Sequence, residues 1–382
     1  MYPKNSGINK HHRLFIVTGE ASGDLHGANL IKAIQKEMPH TEILGIGGPK
    51  MREAGLKSVY DVEKLGVVGI TEVLAHFKHI WLAWQRAKEV LLKNPPDLFI
   101  PIDYPDFNLR LASVARRKKV PVLYYISPQI WAWRKNRVKT IARLVDKMAI
   151  ILPFEEEFYK NQGVNAVFVG HPLLDIMPLE QTEEQPLIGL LPGSRVGEIR
   201  RILPIMLKAA SLIYRRSPEF KFILPVASTL DINWIEQIVA SNQPDFPLTI
   251  VEDNDYSFRQ RCCFLIVASG TATLETAILL KPFVIVYSLS PWSYILGKRL
   301  VKVPYIGLVN WVAGRKIIPE FIQDQARPEL IAQKTLSLLA NSEKLRQIKE
   351  ELKILRASLG KSGVAERVAR IAKEMVQDNA GL

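Results

Sequence analysis

The sequence predicts an α/β chain of two doubly wound domains that face each other across a cleft. Three observations carry that expectation. Short apolar runs alternate with segments whose apolar residues recur every three to four positions, the rhythm of strands joined by helices. The alternation stops at DIMPLEQTEEQP, residues 175–186, a polar stretch flanked by prolines, and restarts beyond it. The chain of 382 residues exceeds what one compact core organises, and two domains take it comfortably. The expected parts are a domain over 1–174, a linker over 175–186, a second domain over 187–340 and C-terminal helices over 341–382.

Composition bounds the function classes. Hydrophobic residues make up 48% and charged residues 23%, as in ordinary globular proteins. The formal net charge of +13, from 51 basic and 38 acidic residues, favours anionic partners: a nucleotide, a nucleic acid or an acidic lipid surface. Cys262 and Cys263 are adjacent, so neither a disulfide framework nor a cysteine-rich metal site can form, and a reducing compartment is expected. MYPKNSGINKHHR lacks the apolar core of a secretory signal, and no apolar run approaches the ~20 residues of a membrane-spanning helix. The expectation is a cytoplasmic protein, or one attached to a membrane from the cytoplasmic side.

In the first half, Leu14 to Thr18 reads as a buried strand. GEASGD, Gly19 to Asp24, then forms a tight turn ahead of a helical pattern that starts at Leu25. Its carboxylates, Glu20 and Asp24, with Ser22 and Gly23 beside them, suit sugar hydroxyls better than phosphate, and the spacing is not the GxGxxG of a dinucleotide site. Farther on, Val73, Leu74, Phe77, Ile80, Trp81 and Trp84 line one helical face, with Lys78, His79, Arg86 and Lys88 as basic neighbours. Such a stripe packs on a core or lies in a membrane interface, and the pattern alone leans toward the core.

The strand Leu98 to Ile102 ends in IDYPDFN. Ligands of open parallel sheets bind beyond the carboxyl ends of strands, so Asp103 faces the expected cleft as the candidate general base, while Asp106 caps the next helix. Later strands end at Ser127 and at His171, which places both on the same side of that cleft; Trp131 and Trp133 could wall it or simply pack.

The second half opens with LIGLLPGSRVGEIRRIL, Leu187 to Leu203: strand, small-residue turn, helix. That geometry aims free N–H groups and the positive end of a helix dipole at whatever occupies the turn. Ser194 adds a hydroxyl, and Arg195 a planar fork matched to phosphate oxygens. A second such turn, Ser269, Gly270 and Thr271, follows the strand Phe264 to Val267, with Glu275 one helical turn on, where it can meet ribose or sugar hydroxyls. Together the pair suits a diphosphate carrying a sugar. Asn310, in the expected loop Val303 to Gln323, either binds ligand or stabilises a turn. There is no Asp-x-Asp pair, and an arginine with two helix N-termini can neutralise a diphosphate, so neither metal nor cofactor is expected.

Eight motifs in order, GEASGD (19–24), DYPDFN (103–108), SPQIWAW (127–133), LPFE (152–155), GHP (170–172), LPGSR (191–195), ASGTATLE (268–275) and NWVAGR (310–315), resemble the lipid-A-disaccharide synthase family from about Phe15 to Gln323. The resemblance implies a GT-B glycosyltransferase with two Rossmann-like domains. It implies transfer, with inversion, of 2,3-diacylglucosamine from UDP-2,3-diacylglucosamine to the 6-hydroxyl of 2,3-diacylglucosamine 1-phosphate, giving the β-1′,6-linked disaccharide of lipid A biosynthesis and UDP. It also matches Asp103 to the family's acidic residue, Arg195 to its diphosphate arginine, Asn310 to its loop amide and residues 66–84 to its membrane-facing segment. That last match favours peripheral attachment to an anionic inner membrane. Tyr104 stands where the family more usually has alanine.

Two rivals share less of the pattern. A UDP-N-acetylglucosamine 2-epimerase or a peptidoglycan-type transferase would use the same architecture, the epimerase without need of lipid. A nucleic-acid-binding module has only the charge in its favour, with no helix-turn-helix, zinc or aromatic RNA-binding signature, and no nucleic-acid partner is expected. The oligomeric state stays open, a homodimer included.

Overall fold

A computed structural model describes residues 11–61, 73–130, 137–178, 180, 182–227, 230–253, 255–289 and 305–380, with backbone alone for 21, 73–77 and 380. Trp131 and Trp133 lie outside the described residues. The chain divides into two compact units, Met1–Asp175 with Lys361–Leu382, and Ile176–Gly360.

In the first unit, β1 (Arg13–Val17), β2 (Glu42–Gly47), β3 (Lys57–Asp61) and β4 (Leu98–Pro101) form a parallel sheet in the order β3-β2-β1-β4. Parallel bridges from Phe99 to Val122 and from Ile102 to Tyr125 continue it into β5 (Leu123–Tyr125), β6 (Lys147–Ile150) and β7 (Ala166–Phe168). Helices cover both faces, so the strands read as unbroken apolar runs. Alternate residues of β1 serve opposite cores. Leu14 and Ile16 pack with Leu30 and Ile31 of α1 (Ala21–Glu37). Phe15 and Val17 pack with residues of α3 (Val73–Lys93) and α4 (Pro105–Arg117), among them Ala83 and Leu111. The remaining helices of this stretch are α2 (Pro49–Glu53), α5 (Val138–Leu144) and α6 (Pro153–Lys160).

The second unit repeats the plan. Its strands β8 (Gln185–Leu191), β9 (Lys221–Val226), β10 (Leu248–Glu252), β11 (Cys262–Ala268), β12 (Phe283–Tyr287) and β13 (Glu320–Ile322) lie in the order β10-β9-β8-β11-β12-β13, with every pairing parallel. Its helices are α7 (Val196–Arg216), α8 (Ile232–Asn242), α9 (Ser257–Arg261), α10 (Thr271–Ile278), α11 (Leu308–Val312), α12 (Pro328–Leu339) and α13 (Ser342–Ser358). The long α7 buries Ile199, Ile202, Leu203, Met206 and Ile213, the single face its spacing predicts.

Three expectations need correction. The C-terminal helices do not form one appendage: α13 stays with the second unit, whereas α14 (Val364–Ala380) completes the first, burying Val368 and Ala372 against α1. Asp175, read as linker, caps that helix by accepting from the backbone N–H groups of Gly363 (2.7 Å), Val364 (2.9 Å) and Ala365 (3.1 Å). Amphipathic spacing identifies a helix face but not its partner, here α1 near the other end of the chain, and Asp175 stands 188 residues before the Gly363 it caps. Residues 303–323, expected as loop, contain α11 and the short edge strand β13. No helix among the described residues is long and apolar enough to cross a membrane.

In each sheet the winding reverses between the first strand and the fourth, β1/β4 and β8/β11. Such a switch point opens a crevice at the strands' carboxyl ends.

Candidate functional site

At the first switch point, β1 leads into Gly19 and Glu20, and β4 into Asp103 and Tyr104. Asp103 and Tyr104 both take left-handed backbone angles, φ 45° and 49°. Two such non-glycine residues in succession are strained, and surrounding bonds hold them. The Asp103 carbonyl accepts from Asn108 Nδ2 and from the Tyr124 hydroxyl, each at 2.7 Å, and its N–H donates to the Tyr125 carbonyl at 3.1 Å. Pro105 then starts α4, its fixed φ suited to the first helical position. Asp106 is therefore a first-turn residue paired with Arg137, and not the cap.

The Asp103 side chain is left over from this scaffolding. Burial, then the negative charge of Glu20, pushes its pKa from 3.8 up to about 6, offset in part by the Tyr104 backbone N–H. A carboxylate in that range takes a hydroxyl proton more readily than an ordinary aspartate and is still ionised at neutral pH. Tyr104 turns its ring over Gly19, where a Cβ would fall 2.3 Å from the ring, so the larger residue is accommodated by the neighbouring glycine.

The rest of GEASGD is more structural than its composition suggests. The helix begins at Ala21, not Leu25. Gly23 sits against Thr18, and Asp24 is buried, accepting from the N–H groups of Gly48 (2.7 Å), Lys50 (3.1 Å) and Met51 (3.1 Å) to cap α2. Glu20 and Ser22 stay exposed. Ser127 is buried and donates a short bond to Glu155, itself buried. His171 is buried with Nδ1 accepting the Leu173 N–H at 3.3 Å, and burial followed by the neighbouring His26 pushes its pKa down to about 3, so it is neutral. Asp24, Ser127 and His171, all expected to face acceptor, are thus committed to their own unit.

At the second switch point the two small-residue turns are neighbours. Gly193 has φ 106°, and a Cβ there would lie 3.8 Å from the Cβ of Ala268, the last residue of β11. Ser194 and Arg195 are exposed at the N-terminus of α7, with Arg195 contacting Glu198 at 3.4 Å. Gly270 and Thr271 are exposed at the start of α10. Ser269 donates its hydroxyl to the Ile306 carbonyl at 3.1 Å and ties down the 305–320 segment.

Asn310 is fully buried and fully used. Its Nδ2 donates to the Ile318 carbonyl (2.8 Å) and to Glu320 (2.9 Å), while its Oδ1 accepts from the N–H groups of Ile317 and Ile318, both at 2.9 Å. Glu320 also accepts from the N–H groups of Ile306 (3.1 Å) and Gly307 (2.9 Å). Asn310 therefore frames the segment beside Ser269 and has no spare group for a ligand in this conformation. Glu275 is only 16% exposed in its side chain and is gripped by Arg259 at 2.6 Å. Asp253, Tyr256 and Arg259 escaped sequence reasoning, since an arginine inside a five-residue helix carries no pattern.

The apolar stripe on α3 divides. Ile80 and Trp84 pack on the core, Trp84 edge-on to Phe107 at 5.9 Å between ring centroids. Trp81 is 58% exposed. The side chains of Val73, Leu74 and Phe77 lie outside the described residues.

Known proteins resemble this chain in both sequence and fold. The family model for lipid-A-disaccharide synthetase matches residues 14–375. Lipid-A-disaccharide synthase of Geobacter sulfurreducens is 46% identical over 96% of this chain and 98% of that one, and that of Nitrosococcus oceani is 40% identical over 96% and 97%. Among solved structures, the UDP-GlcNAc 2-epimerase of Neisseria meningitidis superposes with TM-score 0.60 at 12% identity, covering 96% of this chain and 100% of that one. MurG of Acinetobacter baumannii gives 0.58 at 14% over 95% and 99%. At such identities the structural likeness shows the two-unit GT-B fold alone. The near full-length sequence matches go further: the chain belongs to the lipid-A-disaccharide synthetase family.

Proposed function

We propose that the chain transfers 2,3-diacylglucosamine from UDP-2,3-diacylglucosamine to the 6-hydroxyl of 2,3-diacylglucosamine 1-phosphate. The products are the β-1′,6-linked lipid A disaccharide 1-phosphate and UDP. The observation that carries this reading is identity of 46% and 40% to enzymes of this name over nearly the whole chain.

The residues supply the parts of an inverting displacement. The acceptor oxygen attacks the donor's anomeric carbon as the bond from that carbon to the diphosphate oxygen breaks, and its electron pair leaves with UDP. Asp103 accepts the hydroxyl proton, with burial first and the charge of Glu20 second keeping its carboxyl basic enough to do so. The charge that develops on the diphosphate meets Arg195 and the free N–H groups at the tips of α7 and α10. Glu275 takes the ribose hydroxyls. Asn310 acts by framing the 305–320 segment.

The acyl chains of both substrates reside in a bilayer. Trp81, exposed on α3, and the net charge of +13 suit peripheral attachment to an anionic membrane from the cytoplasmic side, where UDP-sugars are available. Incubation with both diacylated substrates tests the reading, with disaccharide and UDP expected in equal amounts. Failure to form disaccharide, together with turnover of acyl-free UDP-N-acetylglucosamine, would instead make the chain an epimerase.

A further inference from the structure

Beneath Glu275 lies a buried chain of charge that none of the proposed steps uses. Arg259 reaches Glu275 Oε2 with Nη1 at 2.6 Å and Asp253 with Nη2 through a shorter contact. Its guanidinium carbon stands 5.0 Å from the centre of the Tyr256 ring, and the Tyr256 hydroxyl approaches Glu275 Oε1 at 3.4 Å. The side chains of Asp253, Arg259 and Glu275 are 3%, 12% and 16% exposed.

As a device for stability alone this cluster is poor. Two carboxylates share one guanidinium, which leaves a net negative charge in a desolvated place, and such groups commonly stabilise less than apolar residues of the same volume. Arg259 Nε and Asp253 Oδ1 are buried without a hydrogen-bond partner among the described residues. What the arrangement does achieve is orientation. With Oε2 held by Arg259, Glu275 Oε1 keeps a single long contact among the described residues, from Tyr256, and is free to accept more.

The helix beneath adds a polarity. The tip of α10 at Thr271 is positive, and Glu275, four residues on, is negative, a separation of about 6 Å along the axis. A nucleoside diphosphate separates its phosphate charge from its ribose hydroxyls on that scale. The excess negative charge around Glu275 repels phosphate and welcomes hydroxyl donors.

We infer that Arg259, anchored by Asp253 and stacked on Tyr256, is a positioning residue that fixes the Glu275 carboxylate to receive the vicinal hydroxyls of the donor's ribose, so that the cluster discriminates ribonucleotide from 2′-deoxyribonucleotide. The inference rests on the proposed UDP site. A carboxylate held for two hydroxyls is left underused by a ligand with one, which is how polar sites reject analogues that lack a donor.

The test is calorimetric titration of the full chain with UDP and with 2′-deoxy-UDP. Wild type is expected to favour UDP by about tenfold or more. Arg259→Lys keeps the charge but loses the planar fork that spans both carboxylates, and is expected to weaken UDP about tenfold and 2′-deoxy-UDP, which keeps one hydroxyl for Glu275, by clearly less, so that the preference narrows. Equal weakening of both ligands, with the preference intact, would mean that Arg259 merely supports the fold, and overturns the inference. Asp253→Asn preserves the shape and the bond to Glu275. It is expected to narrow the preference too, and serves if R259K fails to fold; an unchanged ratio in that variant is equally fatal. Absence of UDP binding in wild type would reject the nucleotide site itself. UDP binding with no ribose preference would reject this inference alone.

Discussion

Replacing Asp103 by Asn should make the protein less active and more stable at once. The carboxyl titrates at about 6 in the folded chain against 3.8 ordinarily, chiefly because burial disfavours its charge. The folded state therefore holds the proton more tightly than the unfolded state. Below pH 3.8 both states are protonated and the residue costs nothing. As pH rises from 3.8 to about 6 stability is lost, and above that the whole cost is present. The gap corresponds to about 3 kcal/mol, a ceiling because Asp103 keeps some access to solvent. Asn tolerates the same left-handed backbone. The bonds from Asn108 and Tyr124 go to the main-chain carbonyl, so the substitution leaves them in place. Urea unfolding of D103N against wild type should show a gain of up to about 3 kcal/mol at pH 7.5 that shrinks toward zero near pH 4, alongside a turnover loss of about 10²–10⁴. A variant no more stable than wild type at pH 7.5, or one whose advantage persists unchanged at pH 4, would refute the reasoning about burial.

Other perturbations have equally definite outcomes. Glu20→Gln removes a negative neighbour, so the acid limb of kcat/KM should move to lower pH while UDP affinity stays put; a limb that does not move would show that Glu20 is electrostatically silent. Arg195→Ala should weaken UDP binding about 10–100-fold by calorimetry with little change in unfolding, because its exposed contact with Glu198 contributes under about 1 kcal/mol. Asn310→Ala strips four hydrogen bonds from a buried frame and should destabilise the second unit by on the order of 3 kcal/mol in chemical denaturation. Trp81→Glu should reduce co-sedimentation with vesicles of anionic phospholipid without altering UDP affinity, and retention of vesicle binding would move the membrane contact elsewhere.

Much of the architecture was legible because parallel strands covered on both faces read as unbroken apolar runs, and Leu14–Val17 or Phe264–Val267 could hardly be anything else. The turns that follow them were legible for the same reason: strand, small residues and helix together fix where backbone N–H groups point. The misses share a different cause. Asp24 seemed available to a sugar because its real partners, the N–H groups of α2, come from 24 to 27 residues later. Asn310 looked like a ligand group because an amide in an apolar segment gives no hint that four local partners await it. The strands β3 and β13 are short sheet edges, where half-exposed residues blunt the alternation. The Asp253–Arg259–Glu275 chain links the end of β10 to two helices, α9 and α10, and no spacing rule spans them.

The division of labour can be tested in a single preparation of D103N by measuring UDP affinity and disaccharide formation side by side. Affinity equal to wild type with formation of the β-1′,6 product nearly abolished is the expected result. Near-normal product formation, or loss of UDP binding together with turnover, would contradict it.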